Sequence, residues 1–209
     1  MNVFPSFTTF NLAAFLASWK KLYLEVFSIT LDPERIALPP VEEALGAGVV
    51  MHPDVTIEHI LAEIKKRTVG DLLWRYTDTD LDTYVQKDSE AWRPAGVYAV
   101  WVYPATEATE QAPELTEKSY DDIQKISIPI ANFREYTMLY LWHLVVTGTH
   151  LDTNSWTLSG SLDAVGSVLY GDCFVGRFCV DYYGRHGSNP NIRARRVVLP
   201  LKPKAAATA

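Results

Sequence analysis

The change of hydrophobic period near residue 150 constrains the fold of this chain most. Before this point, three segments carry apolar side chains at the three-to-four-residue spacing of a helix. After it, short runs rich in β-branched and aromatic residues alternate with Gly, Asn, Asp and Pro. The pattern predicts an α+β fold whose C-terminal quarter consists of short strands joined by long loops. No internal repeat is visible, so solenoids and propellers are not expected.

Helix signals locate the three helical segments. The first covers 11–27, with Asn11 as its cap; the second begins at Asp54 or Thr56 and ends near Lys66. The third covers 131–148 and stops at Gly148, the residue type that best adopts a left-handed helix end.

A buried strand and a polar loop are expected between the helices. Residues 96–103 are dense in aromatic and β-branched side chains between two prolines, which is typical of a buried strand. The acidic stretch 105–119 has no period and is predicted to be an exposed loop or a short surface helix.

Charge and hydropathy exclude two classes of partner. The formal net charge is -6, so no excess of Lys and Arg remains to neutralise phosphates, and nucleic acid is not expected as a partner. No apolar run reaches the roughly 20 residues of a membrane-spanning helix, and Lys20 and Lys21 interrupt the most hydrophobic stretch, 10–27. No secretory signal is recognisable, which leaves cytoplasmic location and surface display both open. The tail 201–209 is predicted to be flexible.

Catalytic and metal-binding motifs are missing. The phosphate-binding, dinucleotide-binding, zinc-protease and serine-hydrolase strings are all absent, and no enzymatic activity, cofactor or metal is predicted. The histidines never stand at a metal-ligand spacing, and His143 in an apolar helix is expected to be a buried, hydrogen-bonded side chain. Asp78, Asp80 and Asp82 resemble the start of a calcium loop, but the glycine and glutamate that such a loop needs do not follow, so a solvated turn is expected.

Two features of the C-terminal quarter point to recognition instead. Tyr182, Tyr183, Arg185 and His186 form a polar and aromatic cluster of the kind that gives contact area and hydrogen bonds with little ordering cost. In addition, the segment 157–201 contains no Lys, Glu, Gln, Met or Trp, although the rest of the chain has 33 residues of these types. Strand-rich sequence disfavours Lys and Glu, but this does not account for the loss of Trp, Met and Gln.

Four strings together resemble a group of uncharacterised bacterial proteins. They are LLWRYTDTDLDTY at 72–84, PAGVYAVWV at 94–102, TGTHLDTNSWTLSGS at 147–161 and VDYYGRHGSNPNIRARRVV at 180–198. This group is in turn similar to the variable proteins of diversity-generating retroelements. The resemblance covers about residues 71–198, and it implies a C-type-lectin-like domain with short antiparallel strands and two or three helices.

The resemblance also implies a mechanism of diversification. In such systems an error-prone reverse transcriptase changes template adenines, mainly in AAY codons, and the resulting codons cannot specify Lys, Glu, Gln, Met or Trp. The composition of 157–201 agrees with this rule. The implied diversified, outward-facing and ligand-binding positions are Asp163, Ala164, Tyr170, Asp172, Cys179, Asp181, Tyr182, Tyr183, Arg185, His186 and Ser188. The implied apolar scaffold beneath them is Val180, Ile192, Val197 and Val198.

The resulting hypothesis is a non-enzymatic protein that binds a macromolecular or cell-surface ligand. Its expected organisation is an N-terminal helical segment (1–50), the lectin-like domain (51–200) and the tail. The helix 11–27 is expected either to pack on the domain or to pair subunits into a homo-oligomer.

Three alternatives stay open. A calcium-dependent lectin is disfavoured because only NPN at 189–191 faintly resembles the tripeptides that bind calcium and sugar. A relative of the formylglycine-generating oxidases would use Cys173 and Cys179, although their spacing is not quite the one in that family. These two cysteines are too few for a disulfide framework or a zinc site and are expected to be buried thiols. The last alternative is a plain interaction domain.

Overall fold

A capping side chain precedes each α-helix of the described chain. A computed structural model describes residues 10–44, 47–68, 70, 72–86, 91–103 and 113–203. Asn11, Thr56, Asp80, Ser119 and Asn132 each accept a hydrogen bond from a backbone N–H in the first helical turn. The helices are α1 (Leu12–Phe27), α2 (Ile57–Arg67), α3 (Leu81–Tyr84), α4 (Tyr120–Ile126) and α5 (Phe133–Thr147). The three helices predicted from sequence, α1, α2 and α5, are therefore confirmed.

Nine strands form two sheets in the described part of the chain. They are β1 (Ala47–Met51), β2 (Leu73–Arg75), β3 (Val85–Gln86), β4 (Tyr98–Tyr103), β5 (Trp156–Asp163), β6 (Val168–Phe174), β7 (Arg177–Tyr183), β8 (Ile192–Ala194) and β9 (Arg196–Val198). The smaller sheet has the order β1-β4-β9, and the predicted buried strand is its centre, β4. The larger sheet has the order β2-β7-β6-β5-β3, with β8 also paired to β5.

The helix α5 lies at the centre of the molecule. Ten of its fifteen residues are buried, and its side chains share one apolar cluster with α1, α2, β1 and β4. Its first turn is bonded to β5, where the register with β6 shifts between Leu158 and Leu162. At this place the Ser161 hydroxyl accepts a hydrogen bond of 2.9 Å from the Phe133 backbone N–H. The larger sheet is thereby positioned against α5.

The N-terminal helix belongs to the same apolar cluster. Trp19 and Tyr23 of α1 are buried in it, and the Tyr23 hydroxyl donates to the backbone carbonyl of Val50 at 2.8 Å. Strand β1 crosses the expected boundary at residue 50 and pairs with β4. The division into an N-terminal segment and a lectin-like domain stays a prediction. No helix among the described residues is long and apolar enough to cross a membrane.

Several expectations about the strands need correction. The connections between β5, β6 and β7 are tight turns rather than long loops, because residues with positive φ reverse the chain at Gly166 and at Val175–Gly176. The strands are also not all antiparallel, since β2 pairs in parallel with β7 and β8 with β5. Three-residue strands carry no readable period, so their partners are decided by the packing of the whole sheet.

Two segments outside the main helices also differ from expectation. The predicted solvated turn at 78–82 is found for Asp78 and Asp80, which are exposed ahead of α3, but Asp82 lies within α3. The Asp82 carboxylate accepts hydrogen bonds from the first backbone N–H groups of α2, from Ile57 at 2.8 Å and from Glu58 at 3.1 Å. The helix α4 was not predicted. Of the predicted loop or short surface helix at 105–119, residues 105–112 lie outside the described residues, and Pro113–Leu115 forms a short 3-10 helix. Residues 204–209 of the predicted flexible tail also lie outside the described residues.

Candidate ligand-binding site

Strands β6 and β7 divide their residues between two faces of the larger sheet. Successive side chains of a strand point to opposite sides, and the register pairs Tyr170 with Asp181 and Asp172 with Cys179. These four residues and Tyr183 therefore share one face, which we call the outer face. The alternate residues, Leu169, Gly171, Phe178 and Val180, form the inner face.

The inner face is packed closely against α5. The Phe178 ring lies 4.2 Å from the Tyr140 ring between centroids, and Phe178 is fully buried. A Cβ atom added at Gly171 would come within 2.6 Å of the Tyr136 ring, far closer than van der Waals contact allows. The inner face therefore has no room for changes in side-chain volume.

The outer face opens into a cavity of about 510 Å³. Residues of four strands line it: Trp74 of β2, Trp156 of β5, Tyr170 and Asp172 of β6, and Arg177 and Asp181 of β7. The Trp156 and Tyr170 rings stack on each other with centroids 5.3 Å apart. Phe174, at the end of β6, leaves 61% of its surface exposed at the edge of the cavity. A concave site with aromatic walls and a few polar groups is the usual form of a ligand pocket.

Asp172 is the chemically unusual residue of the cavity. It is 9% exposed, and its Oδ1 atom has no hydrogen-bond partner among the residues that the structure describes. Burial raises the pKa of Asp172 to about 6, and the charges of Asp181 and Asp152 act in the same direction against the opposing effects of Cys179 and Arg177. A desolvated carboxylate with an unsatisfied oxygen destabilises the fold and is typical of a functional site.

The other charged groups of the cavity differ in how well they are satisfied. Asp181 accepts hydrogen bonds from the Tyr182 backbone N–H at 2.8 Å and from the Tyr170 hydroxyl at 3.1 Å. The Nε atom of Arg177 is buried without a hydrogen-bond partner among the described residues. The Asp181 carboxylate is thus satisfied, whereas Asp172 and Arg177 are incompletely satisfied groups of opposite charge.

A buried ion pair fixes the loop that borders the cavity. Asp152 and Arg195 are both fully buried, with 2.5 Å between Oδ1 and the guanidinium nitrogen. The Thr157 hydroxyl donates to the other carboxylate oxygen at 2.6 Å, and the Cys173 backbone N–H donates to the Asp152 carbonyl at 3.0 Å. The pair is electrically neutral, and it holds the loop 152–155 against β5 and β6.

Four of the residues expected to face outward are buried. Tyr170, Asp172 and Cys179 are 8–9% exposed because the cavity encloses them, and burial raises the pKa of the Cys179 thiol. Asp163 is 1% exposed; its Oδ1 atom accepts hydrogen bonds from the backbone N–H groups of Val165 and Ser167 and so closes the turn after β5. Asp163 therefore shapes this turn instead of facing solvent.

The remaining sequence-predicted site residues lie outside the cavity. Ala164 is exposed in the turn after β5, and Tyr182 is half exposed on the side of the sheet opposite to Asp181, edge-on to Tyr76 at 4.8 Å. Tyr183 lies on the outer face near Trp156, and its hydroxyl donates to the carbonyl of the exposed Ser188 at 3.4 Å.

Arg185 and His186 belong to a different neighbourhood. Both side chains bind the Asp121 carboxylate at the start of α4, and the Arg185 Nε atom lies 2.8 Å from it. This ion pair lowers the pKa of Asp121, chiefly through the hydrogen bond from Arg185. The loop 184–190 is thus docked on α4, and the structure does not bring Arg185 and His186 to the cavity.

Sequence reasoning missed four aromatic and basic residues of the cavity. Trp74, Trp156, Phe174 and Arg177 were not among the expected positions, although Arg177 and Phe174 continue the two-residue alternation of the outer face. Extending this alternation to the ends of β6 and β7 that meet at the turn would have identified Phe174 and Arg177 from the sequence. Trp74 lies on β2, which pairs with β7, and Trp156 lies on β5, which pairs with β6. These pairings could not be predicted from the sequence.

The expected scaffold residues are placed as predicted in three of four cases. Val180, Ile192 and Val197 are buried, whereas Val198 is only half buried. The prediction for His143 is also confirmed, since it is buried with its Nε2 atom 3.2 Å from the Thr149 hydroxyl.

The two thiols of the described chain lie on opposite faces of the larger sheet. Cys173 and Cys179 are both buried thiols, but alternation turns Cys173 to the inner face and Cys179 to the outer face. No group of three or more His, Cys, Asp or Glu side chains within the described ranges could hold a metal ion. Comparisons with family models, with curated proteins and with solved structures found no significant match to this chain.

Proposed function

We propose that this chain is a recognition protein of the diversified kind, with a C-type-lectin-like domain that binds a macromolecular or cell-surface ligand through the outer face. The observation that carries the proposal is the two-residue alternation of β6 and β7. Five of the positions expected to vary, Tyr170, Asp172, Cys179, Asp181 and Tyr183, fall on the outer face. Between them, Gly171 and Val180 belong to the packed inner face, whereas Tyr182 is half exposed on that side. The two faces therefore separate recognition from stability.

This separation is what diversification requires. Four of these five side chains line the cavity, so their replacement leaves the contacts between the inner face and α5 intact. The buried ion pair of Asp152 and Arg195 fixes the loop beside the cavity, so the site keeps its shape while its lining changes. Aromatic residues and Arg would supply most of the binding energy, with small polar residues around them.

The test is to sequence this gene and the DNA downstream of it across a natural population. We expect substitutions at adenine positions in the codons of the outer face, beside a near-copy of the segment that serves as template. The inner-face codons between them, for Leu169, Gly171, Phe178 and Val180, are a matched control within the same strands. Equal variation on both faces, or a flat profile without a template copy, would contradict the proposal.

A further inference from the structure

The cavity on the outer face carries an excess of negative charge. Its lining includes the carboxylates of Asp152, Asp172 and Asp181 and the guanidinium of Arg177. The buried guanidinium of Arg195 neutralises Asp152, with 2.5 Å between a guanidinium nitrogen and Oδ1. Two carboxylates therefore remain against one guanidinium, and a cation that enters the cavity gains from the difference.

The carboxylate of Asp172 is the group that such a cation would satisfy. Asp172 is nine-tenths buried, it lines the cavity, and its Oδ1 atom lacks a hydrogen-bond partner among the described residues. The Asp172 side chain is hydrogen-bonded with Cys179, which leaves Oδ1 to be satisfied, whereas Asp181 already accepts two hydrogen bonds. An ammonium or guanidinium group has only donors, which is the complement of an unsatisfied carboxylate oxygen.

Aromatic rings complete the match to a cation. Trp74 and the stacked pair of Trp156 and Tyr170 line the same cavity, and Trp74 leaves 38% of its surface exposed. The face of a Trp or Tyr ring attracts a cation, and it covers the apolar stem of a Lys or Arg side chain equally well.

We infer that the cavity of this chain binds a positively charged side chain, Lys or Arg, of a protein ligand, with Asp172 as its counter-ion. This inference rests on the proposed recognition function and adds the chemical class of the group that is recognised. Position 172 is one of the positions expected to vary. The specificity for a positively charged side chain is therefore a property of the sequence with Asp172, and a diversified version without an acidic residue at 172 loses this specificity.

Small amides test the inference directly. We would titrate the full chain with Nα-acetyl-lysine amide and Nα-acetyl-arginine amide, and follow the indole N–H signals of Trp74 and Trp156 by NMR, assigned through Trp→Phe variants. Nα-acetyl-glutamine amide and Nα-acetyl-glutamate amide are the neutral and acidic controls. We expect saturable shifts with the basic amides and at least about tenfold weaker binding of both controls.

Two variants and the pH dependence complete the test. Asp172→Asn keeps the shape of the side chain and removes its charge, and it should weaken binding of the basic amides about tenfold or more. Glu34→Gln removes one charge from an exposed residue outside the cavity and should leave binding unchanged. Affinity should also fall as the pH is lowered through about 6, the range in which Asp172 takes up a proton. The groups that face Asp172 are Tyr170, Asp152, Arg177, Cys179 and Asp181.

The outcomes separate the inference from the proposed function. Equal binding of the glutamine amide, preferred binding of the glutamate amide, or unchanged binding in Asp172→Asn would each overturn the inference. If none of the amides binds while the population survey finds diversification of the outer face, the inference is wrong and the proposed function stands. Binding of the basic amides together with a flat survey would support a cation site and overturn the retroelement origin.

Discussion

The two faces of the larger sheet are built by the same strands and differ in almost every physical respect. On the inner face, Phe178 and Gly171 meet Tyr136 and Tyr140 of α5 without free volume. On the outer face, the neighbouring residue Asp172 lines a cavity and keeps an unsatisfied carboxylate oxygen. In the middle of β6 and β7, alternate residues therefore either support the fold or line the cavity. Towards the ends of the strands, Val168 of the outer face is fully buried and Tyr182 on the other side is half exposed.

The largest expected effect comes from truncating matched Phe residues on the two faces. Phe178→Ala removes a fully buried ring from the contact with Tyr140 and should lower the free energy of unfolding by about 3 to 5 kcal/mol. Phe174→Ala removes a ring that is 61% exposed at the edge of the cavity and should change it by less than about 0.5 kcal/mol. Urea unfolding followed by circular dichroism measures both. Similar losses in the two variants would show that the outer face also supports the fold.

Much of this architecture could be predicted from the sequence, and the reason lies in local signals. Asn11 and Thr56 mark the starts of α1 and α2, and Gly148 marks the end of α5, because capping residues act on the adjacent helical turn. The two faces of β6 and β7 also follow from local alternation, which is why five expected site residues, among them Tyr170 and Asp181, do fall on the outer face.

The rest depends on contacts between distant parts of the chain. Trp74 reaches the cavity because β2 pairs in parallel with β7, about a hundred residues later, and nothing in three residues specifies this partner. Arg185 was expected in the binding surface, but an acidic residue on the unpredicted helix α4, Asp121, binds its side chain. Burial of Asp172 likewise depends on four elements that converge around it.

The second prediction concerns how much the ionised carboxylate of Asp172 on the outer face lowers the free energy of unfolding. The pKa of Asp172 in the folded protein is raised to about 6 from its ordinary value of 3.8, so the folded state binds this proton more tightly than the unfolded state does. The ionised carboxylate therefore destabilises the fold above pH 6. Asp172→Asn should raise the free energy of unfolding by about 1 kcal/mol at pH 8, since the open cavity reduces the full effect of the shift.

The pH dependence of this gain identifies its cause. Below about pH 4 the carboxyl group is protonated in both states, so the stabilisation by Asp172→Asn should vanish there. Chemical unfolding of both proteins between pH 4 and pH 8 gives the curve. Glu34→Gln, at an exposed position, should give no such difference. A gain that is constant with pH, or a loss at pH 8, would place Asp172 among the groups that stabilise the fold and would remove the contrast between the faces.

The smallest effect is expected at the turn that joins the two strands and belongs to neither face. Val175 has φ 52° and Gly176 φ 71°, so both central residues of the turn adopt the left-handed conformation that suits Asn and Gly but not a β-branched residue. Val175→Asn should raise the free energy of unfolding by about 0.5 to 1 kcal/mol. Val165→Asn is the matched control, because Val165 is equally exposed in the preceding turn without a positive φ. Equal gains in both variants would attribute the effect to the removal of exposed apolar surface. A gain at Val175 alone would attribute it to the left-handed backbone conformation. Unshifted indole signals of Trp74 and Trp156 in Val175→Asn would then show that the stability of the turn can change while the outer face keeps its geometry.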